Sequence, residues 1–171
     1  MSAGTLISVE EYLRTSYRPD REYRDGVLVE RNVGKKAHAR LQILLGRYFC
    51  RFEKEWRIRA YTEMRIRARA GWYPIPDLCV YSLPEPEGEV PTVMPLLWVE
   101  ILSDDDRIMD VWNKAKDLIA CGAPYVWIIN PHTLDSELFT QEGGPKEVPD
   151  KTLRIPDTPI VVPLTDVVEE D

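Results

Sequence analysis

Three runs of strand length carry almost no polar residue. They are Ile75-Pro76-Asp77-Leu78-Cys79-Val80-Tyr81, Pro95-Leu96-Leu97-Trp98-Val99-Glu100-Ile101-Leu102 and Tyr125-Val126-Trp127-Ile128-Ile129-Asn130. Strands that do not alternate polar with apolar are covered on both faces. The chain is therefore committed to a central sheet with layers packed on either side. Two of the runs each hold a carboxylate, Asp77 and Glu100. An unpaired ionised carboxylate is costly there and needs a metal, another cation or a polar cavity. Two of them on nearby strands point to a metal site.

A length of 171 residues is that of one domain, with at most an extended tail, and 44% apolar content supplies an ordinary soluble core. No stretch approaches the roughly 18 apolar residues of a membrane span. The first residues, Met1 to Ile7, lack the basic and apolar regions of a secretory signal, so a cytoplasmic location is expected. Cys50, Cys79 and Cys121 lie far apart without CxxC or Cys/His ligand spacing, which argues against structural zinc and for buried, reduced thiols. The net charge of -7 disfavours a generic nucleic-acid binder. The charge is uneven, however. Between Arg31 and Arg69 stand 12 Lys/Arg against three Glu, whereas Asp135 to Asp171 holds 10 acids and three bases. The basic stretch reads as either a solvated face or a phosphate-facing one.

Ser8-Val9-Glu10-Glu11 has the form of a capping box and predicts a short helix from Val9 to about Arg14. Asp25-Gly26 predicts a hairpin turn between Tyr23 and Val27 to Val29. From Lys36 to Phe52, Leu41, Leu44, Leu45, Tyr48 and Phe52 recur at helical spacing, with Arg40, Arg47 and Arg51 off the core face. Between Arg57 and Arg69 the period falls near two: Met64, Ile66 and Ala68 alternate with Arg65, Arg67 and Arg69, predicting a strand with one basic face. Gly71 to Pro76 reads as a turn. Asp104-Asp105-Asp106 is expected to cap a helix from about Arg107 to Cys121, ended by Gly122 and Pro124. Short antiparallel strands are expected near Glu137 to Thr140 and Ile160 to Val162, with Gly143-Gly144 in a loop. The element order gives an α/β sandwich around a mixed sheet.

On the helix after Glu100, Ile108, Val111, Ala115, Leu118, Ile119 and Gly122 mark the predicted core face. Arg107 and Lys114 border one edge and Lys116 the other. Asp110 and Lys114, four apart, can pair on the surface. A lysine at that edge either reaches back to the strand carboxylates or snorkels into water.

Glu22-…-Asp25-Gly26, His38-Ala39-Arg40-Leu41, Pro76-Asp77, Val99-Glu100-Ile101-Leu102-Ser103, Asp110-…-Lys114 and Gly122-…-Pro124-Tyr125-Val126-Trp127-Ile128-Ile129-Asn130-Pro131 follow in order. This ordered set resembles the Uma-two family of restriction-endonuclease domains, in the PD-(D/E)XK nuclease superfamily, over nearly the whole chain. The resemblance implies a restriction-endonuclease-like core: a mixed central β-sheet flanked by helices, with extra antiparallel strands. It further implies hydrolysis of DNA phosphodiester bonds with Mg²⁺ or Mn²⁺, no membrane association, and a homodimer. Carried over residue by residue, Asp77 and Glu100 are the metal ligands. The superfamily lysine two residues after that Glu is replaced by Leu102, and Lys114 takes its role. Glu22 and His38 match further polar positions of the family. The basic residues Arg40, Arg47, Arg65 and Arg67 would then face the phosphate backbone.

These residue types suit the chemistry. Carboxylates are hard ligands for Mg²⁺, which retains waters and accepts phosphate oxygens. A helix-borne lysine can orient a nucleophile or stabilise growing phosphorane charge. Without metal, Asp77 and Glu100 would repel, and one would tend to hold a proton. The sequence departs from the family at Asp104-Asp105-Asp106, acids that would repel a polyphosphate unless they face away. Two rival functions follow: a catalytically silent nuclease-fold module for binding or assembly, and a hydrolase of small phosphodiesters.

Overall fold

The computed structural model describes residues 6–169. A first helix, α1 (Val9–Arg14), is opened by Ser8, whose Oγ accepts a hydrogen bond from the Glu11 amide at 3.1 Å. Strands β1 (Arg21–Arg24) and β2 (Val27–Glu30) follow as a hairpin closed by Asp25 and Gly26. Both turn residues take positive φ, +50° and +91°, as a type I′ turn requires. A long helix, α2 (Lys36–Trp56), leads to β3 (Ile58–Thr62), β4 (Trp72–Tyr73), β5 (Leu78–Ser82) and β6 (Leu97–Ile101). Helix α3 (Ile108–Ala120) then connects β6 to its parallel neighbour β7 (Tyr125–Ile129). Strands β8 (Ser136–Thr140) and β9 (Gly143–Glu147), the pair β10 (Thr152–Arg154) and β11 (Val161–Pro163), and helix α4 (Leu164–Glu169) complete the chain.

The central sheet has the order β3-β5-β6-β7-β8-β9. Only β6 and β7 are parallel; the other neighbours run antiparallel, so the sheet is mixed. One face packs against Leu41, Leu44, Leu45, Tyr48 and Phe49 of α2, with β10, β11 and α4 closing that layer. The other receives Ala115 and Leu118 of α3. Coverage on both sides is what the uninterrupted apolar runs demand, at roughly 1.5–3 kcal/mol per fully buried large side chain. A smaller sheet, β2-β1-β4, encloses a cluster of Tyr12, Tyr23 and Tyr73.

Several local expectations are corrected. Helix α2 runs to Trp56 rather than Phe52, because Trp56 is buried and stacks on Phe52 with centroids 4.5 Å apart. The basic strand predicted to reach Arg69 stops at Thr62. Beyond it Glu63 takes a positive φ, and the following amides bond outside the central sheet: Ile66 to Pro74, Arg67 to Pro91 and Ala68 to Trp72 of β4. The turn predicted at Gly71 contains β4, recruited by β1. Gly143 and Gly144 lie in β9, not in a loop. No aspartate caps α3: its N-cap is Arg107, and Asp106 turns back to accept from the Ser103 amide at 2.7 Å. Ile108, assigned to the α3 core, is exposed, and the buried face of the helix is carried by Ala115 and Leu118 further along it. Of the thiols expected to be buried, Cys79 is; Cys50 is exposed and Cys121 half-buried.

Candidate active site

Asp77 and Glu100 come together through strand register. Leu78 pairs with Val99, Cys79 with Trp98 and Val80 with Leu97. Continued by one residue, this register sets Asp77 opposite Glu100, and opposed residues project from the same face. Both line one cavity of about 290 Å³, together with Glu22, Arg31, His38, Asp106, Asp110 and Lys114.

Each carboxylate is held by N–H donors from a different part of the fold. Oδ2 of Asp77 accepts from the Ile101 amide at 2.7 Å and lies 3.2 Å from His38 Nε2. Oδ1 of Asp77 lies 3.5 Å from the Arg31 guanidinium, which also binds Glu63. Oε1 of Glu100 accepts from Trp98 Nε1 and from Lys114 Nζ, both at 2.8 Å. Lys114 Nζ reaches Oε1 of Glu22 at 2.7 Å as well, and that oxygen also takes the Ile75 amide at 3.0 Å. The lysine at the helix edge thus turns inward. The Asp110 pairing that its spacing allowed is not formed among the described residues, and Lys116 is exposed.

The electrostatics follow from this crowding. Burial, with the charges of Asp77 and Glu22, pushes Glu100 up to about 7 despite the opposing pull of Lys114. Glu100 is therefore a carboxyl group that takes up a proton near neutrality. Burial disfavours the charged form of Lys114, but Glu100 and Glu22 outweigh it and hold the amine above its ordinary range. Burial likewise opposes charging of His38, and the hydrogen bond and charge of Asp77 overcome it, so the imidazole titrates above 6.5.

Sequence reasoning brought Asp77, Glu100, Lys114, His38 and Glu22 forward, and all five line this cavity. It missed Arg31, Gln42, Glu63 and Trp98. Gln42 donates to the Asp77 carbonyl and to Glu63, both at 2.8 Å. Trp98 could have been found, since a period of two puts it on the face of Glu100. Arg31 left no signal, because its pairing with Asp77 spans 46 residues. The basic residues are dispersed. Arg40 and Arg47 sit on the exposed side of α2, and Arg67 is exposed. Arg65 is tied to Asp20 at 2.7 Å and to the Tyr12 hydroxyl at 2.8 Å, while Arg59 pairs with Glu53 and Arg69 with Asp25. The departing acids are also tethered: Asp104 to Lys35 and His132, Asp105 to Lys35, and Asp106 to Asn32.

Two carboxylates on one sheet face fit a hard divalent cation that keeps several waters. Among the described residues, no three His, Cys, Asp or Glu side chains gather around one point, so the donor set does not suit a closed zinc-type cage.

A family model described as "Putative restriction endonuclease" (Uma2) matches residues 9–167. Among solved structures, the crystal structure of a "putative nuclease" from Anabaena variabilis ATCC 29413 aligns with a TM-score of 0.80 and 19% identity, covering 95% of this chain and 97% of that one. At that identity the likeness is one of fold. No curated protein matches the chain.

Proposed function

From the premise that the chain belongs to the Uma2 restriction-endonuclease family, we propose that it is an endonuclease that hydrolyses DNA phosphodiester bonds with bound Mg²⁺ or Mn²⁺. The nuclease descriptions of its family and of its structural neighbour support nuclease activity. The observation that carries the finer reading is the placement of Asp77 and Glu100 across β5 and β6, with the Lys114 amine 2.8 Å from Glu100.

Asp77 and Glu100 would hold the cation, which supplies Lewis acidity and a more acidic coordinated water. Lys114 donates to a non-bridging phosphate oxygen or to the attacking water, and Glu22 fixes its position. His38, whose charged form Asp77 favours, steadies the phosphate or delivers a proton to the departing oxygen. Arg40 and Arg47 on α2, with Arg67, take the flanking phosphates; Arg65 joins them only by releasing Asp20. The enzyme would act in the cytoplasm as a homodimer, and sedimentation of the purified protein tests the dimer.

Incubation with plasmid and Mn²⁺ is the direct test. Nicking or linearisation is expected from the native chain and none from Asp77→Ala or Glu100→Ala; cleavage that survives both substitutions removes this site. One observation favours a catalytically silent module instead: Asp77, Glu22 and Glu100 each already have a protein cation beside them. Mn²⁺ binding without turnover on plasmid or on a small phosphodiester would select that alternative.

A further inference from the structure

Trp98 stands two residues before Glu100 on β6, on the same face of the sheet. It is fully buried, and its Nε1 donates to Glu100 Oε1 at 2.8 Å. The Lys114 ammonium lies 5.9 Å from the centroid of the same indole. A buried indole does not automatically find such a partner in this protein. Trp127, equally buried on the adjacent strand, has no acceptor for its Nε1 among the described residues.

We infer that Trp98 is a positioning residue for the cation site. Its N–H, with Lys114, occupies Oε1 of Glu100 and leaves Oε2 to the cation. On Asp77 the Ile101 amide and His38 do the same to Oδ2. With Oε1 of Glu100 and Oδ2 of Asp77 engaged, the pair offers Oε2 of Glu100 and, once the Arg31 guanidinium 3.5 Å away gives way, Oδ1 of Asp77. That suits an octahedral ion that retains waters better than a larger ion seeking six to eight oxygens and bidentate carboxylates. This inference rests on the nuclease reading, because it concerns the same pair of ligands.

Calorimetric titration with Mn²⁺ and with Ca²⁺ tests it on four proteins: native, Trp98→Phe, Trp127→Phe and Asp77→Ala. Loss of an outer partner of a metal ligand typically weakens the metal by about 10–100-fold. Trp98→Phe is expected to lose Mn²⁺ affinity on that scale and to narrow the preference for Mn²⁺ over Ca²⁺. Trp127→Phe, which removes the same volume from the opposite face, is expected to stay within about twofold of native. Should Trp98→Phe not fold, a sulfur isostere of tryptophan at position 98 removes the N–H while keeping the ring. Equal affinities for native and Trp98 variants overturn this inference alone. Absence of Mn²⁺ binding by the native protein, or binding that survives Asp77→Ala, overturns the metal reading and this inference with it.

Discussion

Lys114 and Glu22, 92 residues apart in the chain, meet at 2.7 Å, and the same ammonium lies 2.8 Å from Glu100. One ammonium thus bridges two carboxylates that line the cavity. Removing it leaves both acids buried without compensation, a loss that typically costs about 3 kcal/mol when a buried pair is broken from one side. Lys114→Ala is expected to be destabilised on that scale in urea melts and to lose nuclease activity. Lys114→Ala combined with Glu22→Gln should recover most of the stability and none of the activity.

Glu100 gives the site a pH dependence with a definite sign. Its folded pKa, about 7, lies above its ordinary 4.5. The protonated form is therefore favoured by folding: its stabilising contribution is complete below about 4.5 and is lost as pH rises through about 7. Glu100→Gln is expected to flatten that decline in a pH series of melts. The cation needs the ionised form, so Mn²⁺ affinity should climb through the same window with release of a proton. A pH-independent affinity would contradict this.

His38 depends on Asp77 for its charge. Burial pulls the imidazole below 6.5 and Asp77 more than reverses it. The resulting stability is full below 6.5 and disappears as pH rises through the raised folded value. Asp77→Asn should lower the His38 pKa read by NMR. Gly34→Ala should do the same by a steric route, because a Cβ there would fall 2.3 Å from His38 Nδ1 and force the ring away from Asp77.

The arginines separate into two groups. Arg40→Glu with Arg47→Glu, on the exposed side of α2, is expected to weaken DNA binding. The slope of log affinity against log salt should fall by about 0.9 for each phosphate that is no longer neutralised. Arg65→Ala should instead lower the melting temperature, because Arg65 joins Tyr12 and Asp20 across two layers. Fluorescence anisotropy at several salt concentrations, beside thermal melts, distinguishes the two outcomes.

Local pattern was sufficient for the elements that bear the site. Apolar runs fixed β5, β6 and β7 as strands buried on both faces, since only the interior of a layered sheet accepts such runs. Helical spacing placed Lys114 at an edge of α3, and within each strand the carboxylates stood out as charges that burial penalises. Local pattern could not tell whether Lys114 reached inward, because helical period gives a direction around an axis and not the position of that axis over a sheet. It also misjudged the Arg65 to Arg69 segment, where alternation persists although its amides bond to Pro74, Pro91 and Trp72 rather than to a strand of the central sheet. The union of Glu22, Arg31, His38, Asp77, Glu100 and Lys114 was decided by tertiary structure alone. Packing of the β1–β2 hairpin, α2 and α3 around the ends of β5 and β6 fixes those distances, and pairings between elements so far apart in the chain have no period to reveal them.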